Sequence, residues 1–140
     1  MHKVYLGLGT NLGDKEANLK AAIEEIRKRV GEVTSLSAFH ASKPWGFQSE
    51  NPFLNAVCCV STNFQPSETL AITQDIERLL GRLKKSTGGI YSDRVIDIDI
   101  LLYDDLHIDT PELTIPHPLM WQRDFVMIPL REIVPDIKAF

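Results

Sequence analysis

The segment Val95-Ile96-Asp97-Ile98-Asp99-Ile100-Leu101 sets two carboxylates two residues apart in an otherwise apolar run. Successive side chains of a strand point to opposite faces, so Ile96, Ile98 and Ile100 share one face and Asp97 and Asp99 the other. Two residues along a strand span roughly 6.5–7 Å, which lets the carboxylates converge on one cation or flank a pair of cations about 4 Å apart. Magnesium suits them, because it takes hard oxygen ligands and commonly keeps one or two protein carboxylates, with water and substrate phosphates filling its octahedron. A half-buried strand with one solvated face shows the same alternation, so the pair alone leaves both readings open.

Cations stand nearby in the chain. Arg94 precedes Asp97 by three residues, and Arg82, Lys84 and Lys85 end the preceding helical segment. The window from Arg78 to Arg94 carries +4, so with a formal net charge of −4 the rest of the chain sums to −8. A basic patch on an acidic chain points to a small anion rather than a polymer, and metal with guanidinium is a common answer to polyphosphate. A solvated helix end that favours the macrodipole would look similar. Pro116-His117-Pro118 and Arg123 add polar groups on proline-stiffened backbone, where a structural histidine is the alternative. Phe53 and Asn55 share a strand face, offering a ring for stacking beside an amide that donates and accepts, with Phe125 as an opposing ring; core packing of both rings is the competing reading.

The elements that must position these groups can be read from periodicity. Residues 3–9 form a buried strand ending in a glycine-rich turn, and Asp14 caps a helix whose Leu19, Ile23, Ile26 and Val30 make its buried stripe before Gly31 stops it. Strands are predicted over 33–39, Phe53–Asn63 and Val95–Tyr103. Ala41 to Pro52 lies between the first two as an irregular loop, a candidate ligand lid. Pro66 opens a second helix with a predicted stripe of Ile72, Ile76, Leu79 and Leu83, and Gln74 and Glu77 share another of its faces. The order strand, helix, strand, strand, helix, strand is the ferredoxin-like βαββαβ plan: a four-stranded antiparallel α+β sheet with helices on one face, the other free to build a site. A proline-rich C-terminal extension follows, packing beside the sheet in short helical or extended pieces.

With 140 residues, 44% of them hydrophobic, the chain is read as a single domain over 1–140. The N-terminus shows no secretory or membrane-spanning pattern, which makes the cytoplasm the expected location and a membrane an unexpected partner. Adjacent Cys58 and Cys59 point to opposite faces and are read as core residues. Net negative charge and the lack of an RNP-like aromatic motif argue against a nucleic-acid binder. Gly7-x-Gly9-x-x-x-Gly13 is one residue longer than the dinucleotide-binding GxGxxG.

Taken in order, Gly7-Leu8-Gly9-Thr10-Asn11-Leu12-Gly13-Asp14, Pro44-Trp45-Gly46, Phe53-Leu54-Asn55, Ile76-Glu77, Gly81-Arg82, Arg94 to Tyr103, Ile115-Pro116-His117-Pro118 and Arg123-Asp124-Phe125-Val126 through Pro129-Leu130 span nearly the whole chain. This set resembles the 6-hydroxymethyl-7,8-dihydropterin pyrophosphokinases of folate biosynthesis. The resemblance implies transfer of the β,γ-pyrophosphoryl unit of ATP to the pterin hydroxymethyl oxygen, with ATP and the pterin as small-molecule partners and AMP released. It matches Asp97 and Asp99 to a pair holding two magnesium ions, and Arg82 and Arg94 to phosphate-clamping arginines. Gln74, Glu77, His117, Arg123 and the backbone near Ile100 match the nucleotide site. Phe53, Asn55, Phe125 and the backbone across Ser42, Lys43 and Trp45 match the pterin site. Many relatives have Gly-Pro before the arginine and Trp where Tyr91 stands; here Ser92-Asp93 precedes Arg94, and Asp93 can pair with it. A monomer is the expected state.

Overall fold

β1 (His2–Thr10) is an inner strand of the sheet. In the computed structural model, which describes residues 1–42, 52–82 and 95–137, it pairs antiparallel with β4 (Phe53–Thr62) on one side and β5 (Asp97–Tyr103) on the other. β2 (Glu32–Leu36) and the three-residue β3 (His40–Ser42) both pair antiparallel with β4, giving the order β2-β4-β1-β5 with β3 beside β4. A small ladder of β6 (Ile108–Asp109) and β7 (Thr114–Ile115) follows. The expected α+β class and antiparallel sheet are what the chain has, but with five strands among the described residues where four are expected, because β3 adds to the edge of β4. The predicted strand over 33–39 is shorter than expected, and Ala41 and Ser42 belong to β3 rather than to an irregular loop.

Two helices cover one face as the periodicity requires. α1 (Lys15–Arg29) is capped by Asp14, which accepts a hydrogen bond from the Ala17 N–H at 3.1 Å. Its Leu19, Ile23 and Ile26, with Val30 just beyond its end, pack with Val4, Leu6, Leu8, Ala56, Cys58, Val60, Ile98 and Ile100. Each such aliphatic side chain contributes roughly 1.5–3 kcal/mol when fully buried. α2 (Pro66–Arg82) starts where Pro66 predicts, but its buried stripe is rotated from the expected one. Leu80 is 8% exposed and Leu79 42%, and Thr69 and Thr73 continue the buried line through Ile76. Leu83 lies outside the described residues. Both cysteines are buried and free.

The opposite face, expected to be free, is partly covered: the C-terminal extension folds into α3 (Asp124–Ile133) against it. Val126, Met127 and Leu130 pack there with Val57, Leu101, Leu102 and Met120. A bulge in β5 shapes this second core: Tyr5 pairs with Leu102 and Leu6 with Ile100, leaving Leu101 without a partner on β1. The extra residue turns both Leu101 and Leu102 toward α3 and returns Tyr103 to the α1/α2 side.

Gly31 ends α1 where the chain crosses β4, and a Cβ built there would lie 1.9 Å from the Ser61 carbonyl oxygen. That neighbour is strand backbone and cannot swing aside. Gly31→Ala is therefore expected to destabilise the protein by about 1–3 kcal/mol or more, read as a lower denaturation midpoint with unchanged m-value.

Candidate active site

Residues directly opposite in neighbouring strands share a face, so register places the functional groups. Gly9 is opposite Asp97 on one side and Asn55 on the other, and Gly7 is likewise flanked by Asp99 and Val57. The carboxylate pair and the aromatic–amide pair of β4 thus lie on one face, separated by two glycines of β1. A Cβ at Gly9 would sit 3.1 Å from Asn55 Oδ1 and 3.6 Å from Phe53 Cδ1, which shows that both side chains lean over the glycine. The result is a trough whose floor is backbone and whose walls are a ring, an amide and two carboxylates. α3 packs farther along this face, so the end bearing the trough is where a ligand can lie.

Asp97 and Asp99 are half-buried, with Ile98 and Ile100 buried beneath the sheet as the alternation predicts. The donor set is two hard carboxylates; among the described residues no group of three or more His, Cys, Asp or Glu side chains forms a metal cage. Two half-buried carboxylates are hard oxygen donors of the kind magnesium takes.

Glu77 reaches from α2 to the outer edge of β5, where Oε2 accepts the Ile98 N–H at 2.8 Å. Its carboxyl is pushed up to about 8, first by burial and then by the charge and hydrogen bond of Asp97 and the charge of Asp99, with the Ile98 N–H pulling the other way. By the two-residue repeat of a strand, the backbone N–H and C=O of Ile100 face the same outer edge as those of Ile98. Gln74 is exposed on α2, one turn before Glu77.

His117 is positioned by the bulge. Its N–H donates to the Leu101 carbonyl at 3.0 Å, and its Nδ1 accepts from the Leu119 N–H at 3.4 Å. Burial and the positive charge of Arg123 lower its pKa, with Asp97 opposing, so the imidazole is neutral at pH 7. Arg123 leads into α3, and its guanidinium lies 5.5 Å from the centroid of the Phe125 ring, within cation–π range. Phe125 is half-buried at the margin of the second core.

Ser42, the last residue of β3, lies opposite Phe53, and its Oγ accepts from Asn55 Nδ2 at 2.6 Å. Lys43, Trp45 and Arg94 lie outside the described residues, as does the side chain of Arg82. Gly9, which local pattern assigns only to the turn ending the first strand, is a site residue. Its signal was present: a glycine within a strand marks close backbone approach.

The model of the 7,8-dihydro-6-hydroxymethylpterin-pyrophosphokinase (HPPK) family matches residues 5–135. A 2-amino-4-hydroxy-6-hydroxymethyldihydropteridine pyrophosphokinase of Porphyromonas gingivalis is 53% identical over 133 residues, covering 94% of this chain and 90% of that protein. One of Aquifex aeolicus is 41% identical over 137 residues, covering 98% and 83%. The crystal structure of wild-type Plasmodium falciparum HPPK-DHPS with SDX-DHP has a TM-score of 0.75 at 16% identity. That likeness covers 99% of this chain and 41% of that one, and shows the fold alone. The chain belongs to the 7,8-dihydro-6-hydroxymethylpterin-pyrophosphokinase family, and its activity is that of a pyrophosphokinase in folate biosynthesis.

Proposed function

We propose that the chain carries out this reaction on the trough face, with magnesium held by Asp97 and Asp99 and the pterin lying over Gly9. The hydroxymethyl oxygen attacks the β-phosphorus of ATP, the bond from that phosphorus to the α,β-bridging oxygen breaks, AMP leaves, and the hydroxyl proton is lost. The observation that carries the reading is the row Asp97, Gly9, Asn55 across three strands, which puts carboxylates and heterocycle shelf on one floor.

In this reading Phe53 and Phe125 stack on the pterin and Asn55 binds its polar edge, with backbone from Ser42 through Lys43 to Trp45 completing the contact. Gln74, Glu77 and the outward backbone of Ile100 receive the nucleotide, and neutral His117 and Arg123 donate to its phosphates. Arg82 and Arg94 close on the transferring group. Bound magnesium, taken as two ions, would neutralise charge on the phosphate oxygens. Stacking and hydrogen bonding bring the hydroxyl within attacking distance, which is the main contribution a protein makes to phosphoryl transfer.

The test is to incubate the protein with ATP, magnesium and 6-hydroxymethyl-7,8-dihydropterin and identify the nucleotide product. AMP with a pterin diphosphate is expected. ADP, or no turnover by a folded sample, overturns the reading, and full activity in chelator removes the metal from it.

A further inference from the structure

We infer that His40 and Glu132 form a clasp that positions the pterin shelf by holding β3 against β4; the inference rests on the pterin reading above. A strand of three residues has too little ladder of its own to keep its place. Residues 37–42 are instead pinned at successive points. Ser37 exchanges two hydrogen bonds with Val57, N–H to carbonyl at 2.9 Å and Oγ from the Val57 N–H at 2.9 Å. Glu132 then reaches over from α3. One carboxylate oxygen accepts the Ala38 N–H at 2.8 Å and the other pairs with His40 Nε2. The Ala38 N–H, with His40 beside it, holds the Glu132 carboxyl below the usual range, so it is ionised at neutral pH.

What β3 does with this support bears on the ligand. Asn55 Nδ2 faces the His40 carbonyl at 3.4 Å and Ser42 Oγ at 2.6 Å. A carbonyl only accepts, so the NH₂ side of the amide must face β3. Oδ1 is thereby turned over Gly9, 3.1 Å from where a Cβ would stand. The shelf presents an acceptor to the trough and selects a heterocycle edge that donates, such as an amino group beside a ring N–H. With the clasp open, β3 no longer dictates that polarity. In this proposal His40 and Glu132 are positioning residues that act through β3 and the Asn55 amide.

The experiment titrates 6-hydroxymethyl-7,8-dihydropterin, and separately a non-hydrolysable ATP analogue with magnesium, into the parent and its variants. Glu132→Ala is expected to weaken pterin binding about tenfold, the scale of one hydrogen bond, with the ATP analogue unchanged within about twofold. Glu132→Gln still accepts from Ala38 and should recover most of the loss. Ser42→Ala combined with Glu132→Ala should bind no more weakly than the worse single variant, because both act through one amide. If Glu132→Ala does not fold, His40→Phe carries the same test. Pterin binding within twofold of the parent, equal loss of both ligands, or additive losses in the double variant overturns the clasp. Failure of the parent itself to bind the pterin overturns the pterin reading and the clasp with it, a result distinct from any of those.

Discussion

Asp97→Asn and Asp99→Asn are each expected to lower turnover about 10²- to 10³-fold or more while leaving the folded protein at least as stable as the parent. Both halves follow from one arrangement. Asparagine keeps the shape of the side chain, and the packing of β5 is carried by Ile98 and Ile100 on the other face, so the sheet has no reason to change. The two carboxylates face Glu77, a half-buried acid pushed up to about 8 by burial and partly by their charge. Removing one negative charge relieves that repulsion, and under the proposed metal role it also removes a hard ligand to a divalent ion where charge builds in the transition state. Magnesium with ATP should raise the melting temperature of the parent more than that of either variant, because only a bound ligand shifts the folded state by mass action. Near-parental turnover by a folded variant would return Asp97 and Asp99 to the solvated side of an ordinary strand.

Features that depend on local pattern were legible before the fold was known. The Asp14 cap, the Leu19–Ile23–Ile26–Val30 stripe and the facing of Asp97 and Asp99 each follow from period and from residue types within a few positions. The stripe of α2 was misplaced because Thr69 and Thr73 occupy two of its buried positions. Hydrophobic pattern cannot see them: Thr69 is satisfied across the fold by Tyr103 Oη at 2.9 Å, and Thr73 within the helix by donating to the Leu70 carbonyl at 3.0 Å. β3 was missed because its support comes from Glu132, ninety or so residues away in the chain. The bulge at Leu101 likewise has no signature in an unbroken apolar run, yet it frees the carbonyl that seats His117.

The sequence leaves the C-terminal extension open between short helical and extended pieces, and α3 runs through Pro129, a residue that disfavours a helix interior. In the structure Pro129 is buried, and the stripe of Val126, Met127 and Leu130 on the second core outweighs the one backbone hydrogen bond it forgoes. The candidate site followed the same division: the residue types were visible, but the row joining Asp97 to Asn55 exists only through register with Gly9.

That glycine should be the most sensitive uncharged position of the trough. Gly9→Val is expected to weaken pterin binding about 100-fold or more, the combined scale of a lost stacking contact and its hydrogen bonds, while the ATP analogue binds within a few-fold of the parent. The Cβ alone would press on Asn55 Oδ1 at 3.1 Å, and the γ-methyls would rise into the space over the floor between Phe53 and Asp97. Stability need not fall, since valine suits an inner strand and the crowded neighbour is a side-chain oxygen, not backbone. Gly7→Ala is the control: its Cβ would meet Leu101 Cδ1 and Cδ2 at 3.4 Å, an ordinary packing contact, so pterin affinity should change less than about threefold. Calorimetric titration of both variants separates the cases. Equal losses at both positions would mean that crowding anywhere on β1 disturbs the sheet, whereas retained pterin binding in Gly9→Val would mean that the ring does not lie over this glycine. A selective loss at Gly9 locates the heterocycle beside Asp97, where its hydroxymethyl group can reach a phosphate held at the carboxylate pair.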